Sequence, residues 1–263
     1  MKPQDIIKEK SSLWIFGYGS LVWKPDFEYK RRKIGYIRGY KRRFWHGDDF
    51  HRGDKEKVRF AATPGTQVFP ADSDPLGVRS CIFRCRLQYV VVKYEAFSCW
   101  LLSSHCRCFC SLQPARVVTL IADEEACTWG VAYEVTECQV EASLQYLNMR
   151  EVVQGGYITE MVEFIPKDGH GSVLSLVYIA TPDNPIYLGP ASDGEIAAQI
   201  AMCRGNTGHN IEYLVRLAEF MRHHCPEVED GHLFSIETAV LNIFSNCREL
   251  RSNDRKSLLL EVI

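Results

Sequence analysis

No stretch of the 263 residues is apolar for long enough to span a bilayer. The most apolar run, Val90 to Leu102, is broken by Lys93 and Glu95, whereas a spanning helix needs about 20 apolar residues. Neither sign of charge is in excess: 31 Lys and Arg stand against 33 Asp and Glu, a formal net charge of −2. Nothing electrostatic therefore calls for nucleic acid or an anionic membrane surface. A secretory leader is not expected either, because Met1 to Ser12 is polar and carries Lys2, Lys8 and Lys10. The expected address is the reducing cytosol. Internal repeats are absent. So is the third glycine of a dinucleotide loop: Val22 stands in its place after Gly17 and Gly19, and Trp23-Lys24-Pro25-Asp26 is a loop, not a helix.

What is present suits a folded unit with a real core, since 46% of the residues are hydrophobic and 24% charged. Leu13 to Tyr18 reads as a buried strand ending in a glycine-rich turn. Ile34 to Trp45 reads as strand, turn and strand. Val117–Ile121 and Thr128–Val135 read as a hairpin across the acidic turn Ala122 to Ala126. Val140, Leu144 and Leu147, with Tyr146 alongside, form a helical stripe that stops before Gly155-Gly156. Strands follow over Tyr157–Ile165 and Val173–Ala180. Helices are expected over Asp193–Cys203, Asn210–His224 and Gly231–Glu249, with a charged tail that frays. Strands first and helices last predict an α+β fold.

Two places could carry chemistry. The turn Tyr18-Gly19-Ser20-Leu21 follows a buried strand, and such a turn can aim consecutive amides into one concavity that holds a carboxylate or oxyanion. Glu151 stands at the C-terminal end of a helix, where the dipole disfavours its charge and raises its value as a base. Both have plainer readings, an ordinary turn and a solvated acid beside Arg150.

The order of motifs decides between them. Trp-Ile-Phe-Gly-Tyr-Gly-Ser-Leu-Val-Trp (14–23), Arg-Arg-Phe-Trp-His-Gly (42–47) and Phe-His-Arg-Gly (50–53) come first. Arg-Val-Val-Thr-Leu (116–120), Trp-Gly-Val-Ala-Tyr (129–133), Tyr-Leu-Asn-Met-Arg-Glu (146–151) and Gly-Gly-Tyr (155–157) follow. Pro-Ile-Tyr-Leu-Gly-Pro-Ala (185–191) and Gly-His-Asn-Ile-Glu-Tyr-Leu (208–214) complete the set. In this the chain resembles the ChaC family of glutathione-specific γ-glutamylcyclotransferases, and its stress-induced vertebrate type-1 branch in particular.

The resemblance implies a mixed sheet or barrel with flanking C-terminal helices, in one domain over 13–235 with flexible tails at 1–12 and 248–263. It implies cleavage of glutathione to 5-oxoproline and cysteinylglycine, with no metal or organic cofactor. Glu151 is the implied catalytic base; Phe16, Gly17, Tyr18, Gly19, Ser20, Leu21 and Tyr157 are the implied substrate contacts. Arg42, Arg43 and Arg52 are candidates for the glycyl carboxylate, with structural ion pairing an equal reading. A Notch-pathway protein partner, a link to apoptosis and the unfolded protein response, and Golgi association beside the cytosol are implied by resemblance alone.

Residues 58–113 depart from the family pattern. They hold six of the eleven cysteines (Cys81, Cys85, Cys99, Cys106, Cys108 and Cys110). Removing them joins Lys57 to Pro114 and restores the family's wording. The segment reads as a retained in-frame intron: Val58-Arg59 can be encoded from a splice donor, and Cys106 to Gln113 from a pyrimidine tract and acceptor. His105, Cys106, Cys108 and Cys110 lack paired Cys-x-x-Cys knuckles and alternate faces in an extended chain, which argues against zinc. Poor order and aggregation are expected of the segment. The alternative to an active enzyme is a catalytically impaired form that keeps only binding roles.

Overall fold

The computed structural model describes residues 12–53, 114–152 and 157–260. The segment 58–113 with its cysteines, and Gly155-Gly156, lie outside the described residues.

Strand β1 (Ser12–Gly17) carries no polar side chain after Ser12 because Leu13 to Gly17 are buried on both sides. Trp14 and Phe16 point into the main core, while Leu13 and Ile15 join Val140, Leu144 and Leu147 of helix α1 (Glu137–Leu147). Beside β1 runs β3 (Ala115–Thr136), antiparallel, and β3 pairs in turn with β2 (Arg31–Asp48). Strands β4 (Tyr157–Pro166) and β5 (Val173–Ala180) follow in the order β1-β3-β2-β4-β5. A short parallel pairing of Trp14 and Ile15 with Ser175 and Leu176 closes the barrel. The α+β expectation holds.

The hairpin expected within 117–135 does not form. Both halves belong to β3, and each pairs with β2: Arg31–Arg38 with Glu134–Cys127, then Tyr40–Arg43 with Ala122–Thr119. Asp123 to Ala126, three of them acidic, bulge from a strand that continues past them. Opposite the bulge, Gly39 adopts φ 83°, the left-handed conformation that glycine takes without strain. The two long strands thus bend together, where the sequence pattern suggested chain reversals.

A second irregularity in β2, between Arg43 and His46, leaves backbone groups without ladder partners. Side chains and loops take them up. Phe44 donates its amide to His232 Nε2 (3.1 Å), its carbonyl accepts from Arg116 (3.0 Å), and Trp45 O accepts from the amides of Leu188 and Gly189.

Helices α2 (Asp193–Met202), α3 (Asn210–His224) and α4 (Gly231–Leu260) pack Ile196, Ile200, Leu214, Leu217, Leu233 and Ile236 into the main core. Ser192 and Glu195 form a capping box at the start of α2. Among the described residues no helix is long and apolar enough to cross a membrane.

Arg42 ties these parts together. It is 4% exposed, and its Nε and Nη2 hold Asp230 just ahead of α4 (2.9 and 2.8 Å). Its Nη1 donates to the carbonyls of Tyr18 (2.8 Å) and Trp129 (3.3 Å). Truncating one partner of a buried pair strands the other charge. Arg42→Ala should therefore cost about 3–5 kcal/mol, measured as a shift in the urea unfolding curve. A loss under about 1 kcal/mol would mean that water replaces the guanidinium freely.

Candidate active site

The turn after β1 becomes a short 3₁₀ segment over Ser20–Val22. Each carbonyl from Tyr18 to Leu21 is drawn back into the protein. Tyr18 O accepts from Arg42, Gly19 O from the Val22 amide (3.0 Å), Ser20 O from the Lys24 amide (2.9 Å) and Leu21 O from Tyr133 Oη (2.8 Å). The amides of Gly19, Ser20 and Leu21, by contrast, donate to no backbone carbonyl among the described residues. Carbonyls held back and amides left over are the two halves of an anion-binding nest. Gly19 is required by contact, since a Cβ there would lie 2.6 Å from Tyr213 Oη and 2.9 Å from Val118 Cγ2. The Tyr18 ring is fixed by its hydroxyl, which donates to Tyr178 O (2.8 Å).

This turn forms one wall of a cavity of about 740 Å³, within the usual range of about 300–1,000 Å³ for small-molecule sites. Of the residues expected to meet substrate, Phe16, Tyr18, Gly19, Ser20, Leu21 and Tyr157 line it. Gly17 does not; it sits at the end of β1, where a Cβ would strike Leu21 at 2.5 Å. Glu151 belongs to a π-helical turn, Asn148–Val152, that continues α1. Its neighbour Arg150 crosses to the nest, donating to Ser20 Oγ (2.5 Å) and Lys24 O (3.2 Å). The turn carrying Glu151 is thereby fastened to the loop that lines the cavity.

The candidate arginines separate. Arg42 is committed to Asp230 and the carbonyls, and Arg43 donates to Arg42 O (2.8 Å); neither lines the cavity. Arg52 does.

Sequence reasoning gave no role to His46, which is 1% exposed and lines the cavity with its ring edge-to-face against Tyr157 (5.1 Å, 79°). Its Nδ1 has no hydrogen-bond partner among the described residues. The Arg-Arg-Phe-Trp-His-Gly wording was the available signal, but the β2 irregularity that turns this position inward cannot be read from residue types. Burial pushes the imidazole down to about 4, against a weaker upward pull from Asp48. His46 is therefore neutral at physiological pH.

The family model for ChaC-like proteins matches residues 13–91 and 79–243, and the chain belongs to this family. It is 55% identical over 242 residues to the zebrafish glutathione-specific γ-glutamylcyclotransferase 1, covering 92% of this chain and 95% of the relative. With the human protein of the same name it shares 44% over 233 residues, covering 88% and 80%. A crystal structure of the yeast glutathione-specific enzyme has the same fold, with TM-score 0.62 at 23% identity over 89% of this chain and 97% of that one.

The depressed His46 value makes a testable demand on stability. Between about 6.5 and about 4 the unfolded chain takes up a proton that the native His46 refuses, so stability falls as pH is lowered through that window. His46→Gln should flatten this part of the profile, by up to about 3 kcal/mol at the acid end, in denaturant titrations at graded pH. Parallel profiles for parent and variant would assign the acid sensitivity to other groups.

Proposed function

We infer that this chain cleaves glutathione to 5-oxoproline and cysteinylglycine. The observation that carries this reading is the 55% identity with the zebrafish enzyme across nearly all of both chains. The alternative of a form with binding roles only is not favoured by that identity. In the proposed reaction the γ-glutamyl α-amine attacks its own γ-carbonyl, a five-membered ring closes, and the amide bond to cysteine breaks. Glu151 takes a proton from the α-amine and returns it to the departing cysteinylglycine nitrogen. The uncommitted amides of Gly19, Ser20 and Leu21 receive the charge that develops on the γ-carbonyl oxygen. Tyr18 and Tyr157 supply the cavity wall that holds amine and carbonyl together, which matters because the reaction is intramolecular. A cytosolic setting and, by resemblance alone, a Notch-pathway partner belong to the same proposal.

Glu151→Gln tests the base. The amide has the carboxylate's shape but cannot take the proton, so 5-oxoproline release should fall by about 10²–10⁴-fold with circular dichroism unchanged. Near-normal turnover would locate the base elsewhere.

We propose also that the enzyme does not need residues 58–113. Asp48 pairs with Ala115 at the end of the β2–β3 ladder. A Cβ on Gly53 would lie 2.1 Å from Asp48 O and 2.9 Å from the Ala115 amide, so the chain departs and returns at one spot. Residues 54–57 suffice to join flanks so close, and a longer loop there adds only about 0.6 kcal/mol per doubling of length. The chain lacking 58–113 should fold and release 5-oxoproline from glutathione at least as fast as the full chain. Loss of the folded state on deletion would make the segment part of the domain.

A further inference from the structure

Arg52 lines the cavity and has so far been given no role. Its backbone is fixed by the small hairpin of β6 (Arg204–Gly205) and β7 (Gly208–His209). Thr207 donates both its amide (2.9 Å) and its hydroxyl (2.8 Å) to His51 O, and a Cβ on Gly205 would lie 2.5 Å from the Arg52 amide nitrogen. The side chain is equally constrained. Nη1 donates to His209 O and to Glu212 Oε2, both at 2.9 Å, and the residue is 7% exposed. Among the described residues only this one nitrogen is used: Nε and Nη2 donate to none of them, yet neither is sealed away from solvent.

That edge is one with which two other arginines of this protein grip carboxylates, while Arg222 holds Glu237 through Nη1 and Nη2. Arg42 holds Asp230 through Nε and Nη2, and Arg31 holds Glu134 through the same pair. In Arg52 the fork is oriented by Glu212 and its carboxylate-binding edge is open, in a residue that lines the cavity. Glu212 is shared with Arg216, whose Nε it accepts at 2.8 Å, so two cations and one anion leave the cluster with net charge +1.

We propose that the Nε–Nη2 edge of Arg52 seats the C-terminal carboxylate of the tripeptide's glycine, and so sets the preference for glutathione over γ-glutamyl dipeptides. The inference rests on the activity proposed above. With the γ-glutamyl head at the nest, a dipeptide's carboxylate falls one residue short of its tripeptide counterpart, about 3.5 Å. A fixed guanidinium can match one length and not the other. Arg216, half exposed and anchored only to its own helix, supplies charge without that fixity.

The test compares glutathione with its glycinamide, γ-glutamyl-cysteinyl-glycinamide, which keeps the length and loses the charge. Affinities are read by calorimetry in the full chain carrying Glu151→Gln, and kcat/KM in the parent background. Adding Arg52→Gln should weaken glutathione roughly 10- to 100-fold and the glycinamide by less than about threefold, with Arg52→Lys intermediate for glutathione. Equal losses on both ligands would make Arg52 structural and overturn the proposal. So would an Arg216→Gln effect selective for the carboxylate with Arg52→Gln without one, or undetectable binding of both tripeptides. Carboxylate-selective binding that depends on Arg52, in a parent chain that releases no 5-oxoproline, would overturn the activity reading and leave the subsite standing.

Discussion

Tyr18 turns its carbonyl inward because Arg42 is there to receive it, and the rest of the site follows from that one bond. A peptide unit has a fixed direction, so a carbonyl held back leaves the next amide, that of Gly19, pointing the other way. The same guanidinium holds Asp230 beside α4 and reaches Trp129 O on β3. One buried cation thereby fixes the position of the turn relative to the barrel and to the C-terminal helices. Taken as an ion pair it contributes little net stability, because both charges lose water. Its effect is on geometry. An anion site made of amides has no charge of its own and depends on the direction of those amides.

The three arginines that the sequence offered for a substrate carboxylate show how burial and anchoring divide one residue type into different tasks. Arg42 has its Nε–Nη2 edge filled by Asp230. Arg43 spends a donor on a neighbouring carbonyl and does not line the cavity. Arg52 is buried like Arg42 but is held by its opposite nitrogen, so its gripping edge stays open. Sequence could not separate them, because the distinction lies in which nitrogen meets which partner. Those partners, Asp230 and Glu212, are 188 and 160 residues away.

Much of the fold was legible because burial leaves plain patterns. The apolar run of β1, the stripe of α1 and the limits of α3 (Asn210–His224) come through from residue types alone. The misreading fell on β2 and β3. Gly39 and the acid-rich stretch Asp123 to Ala126 look like turns, and locally they are bends. Whether a bend reverses a chain or kinks it depends on the partner strand, and the sequence between two glycines does not name its partner. The nest was visible as a glycine-rich turn after a buried strand, while Arg150, which braces it from the π-helical turn, and His46, brought inward by the β2 irregularity, were not. Such contributions come from side chains that cross between elements.

The same ladder fixes the two points at which the chain leaves and re-enters the described barrel. The β2–β3 pairing runs to Asp48 and Ala115 before the chain leaves, and every strand of the barrel is complete without residues 54–113. The flanks are then locked independently of what joins them. Asp48 accepts from the amides of Phe50 (2.9 Å) and His51 (2.7 Å), holding the outgoing turn. On the returning side, Asn210 bonds the Arg116 backbone through both its amide groups (2.8 and 2.9 Å), and Gln199 and Phe44 O hold the Arg116 side chain. A connection between two anchored points has little leverage on either. Arg52 stands four residues beyond the last outgoing ladder position, Asp48, and it is held by β6, β7 and α3. The contacts that hold Arg52 and the returning strand are therefore made by elements far along the chain from Gly53.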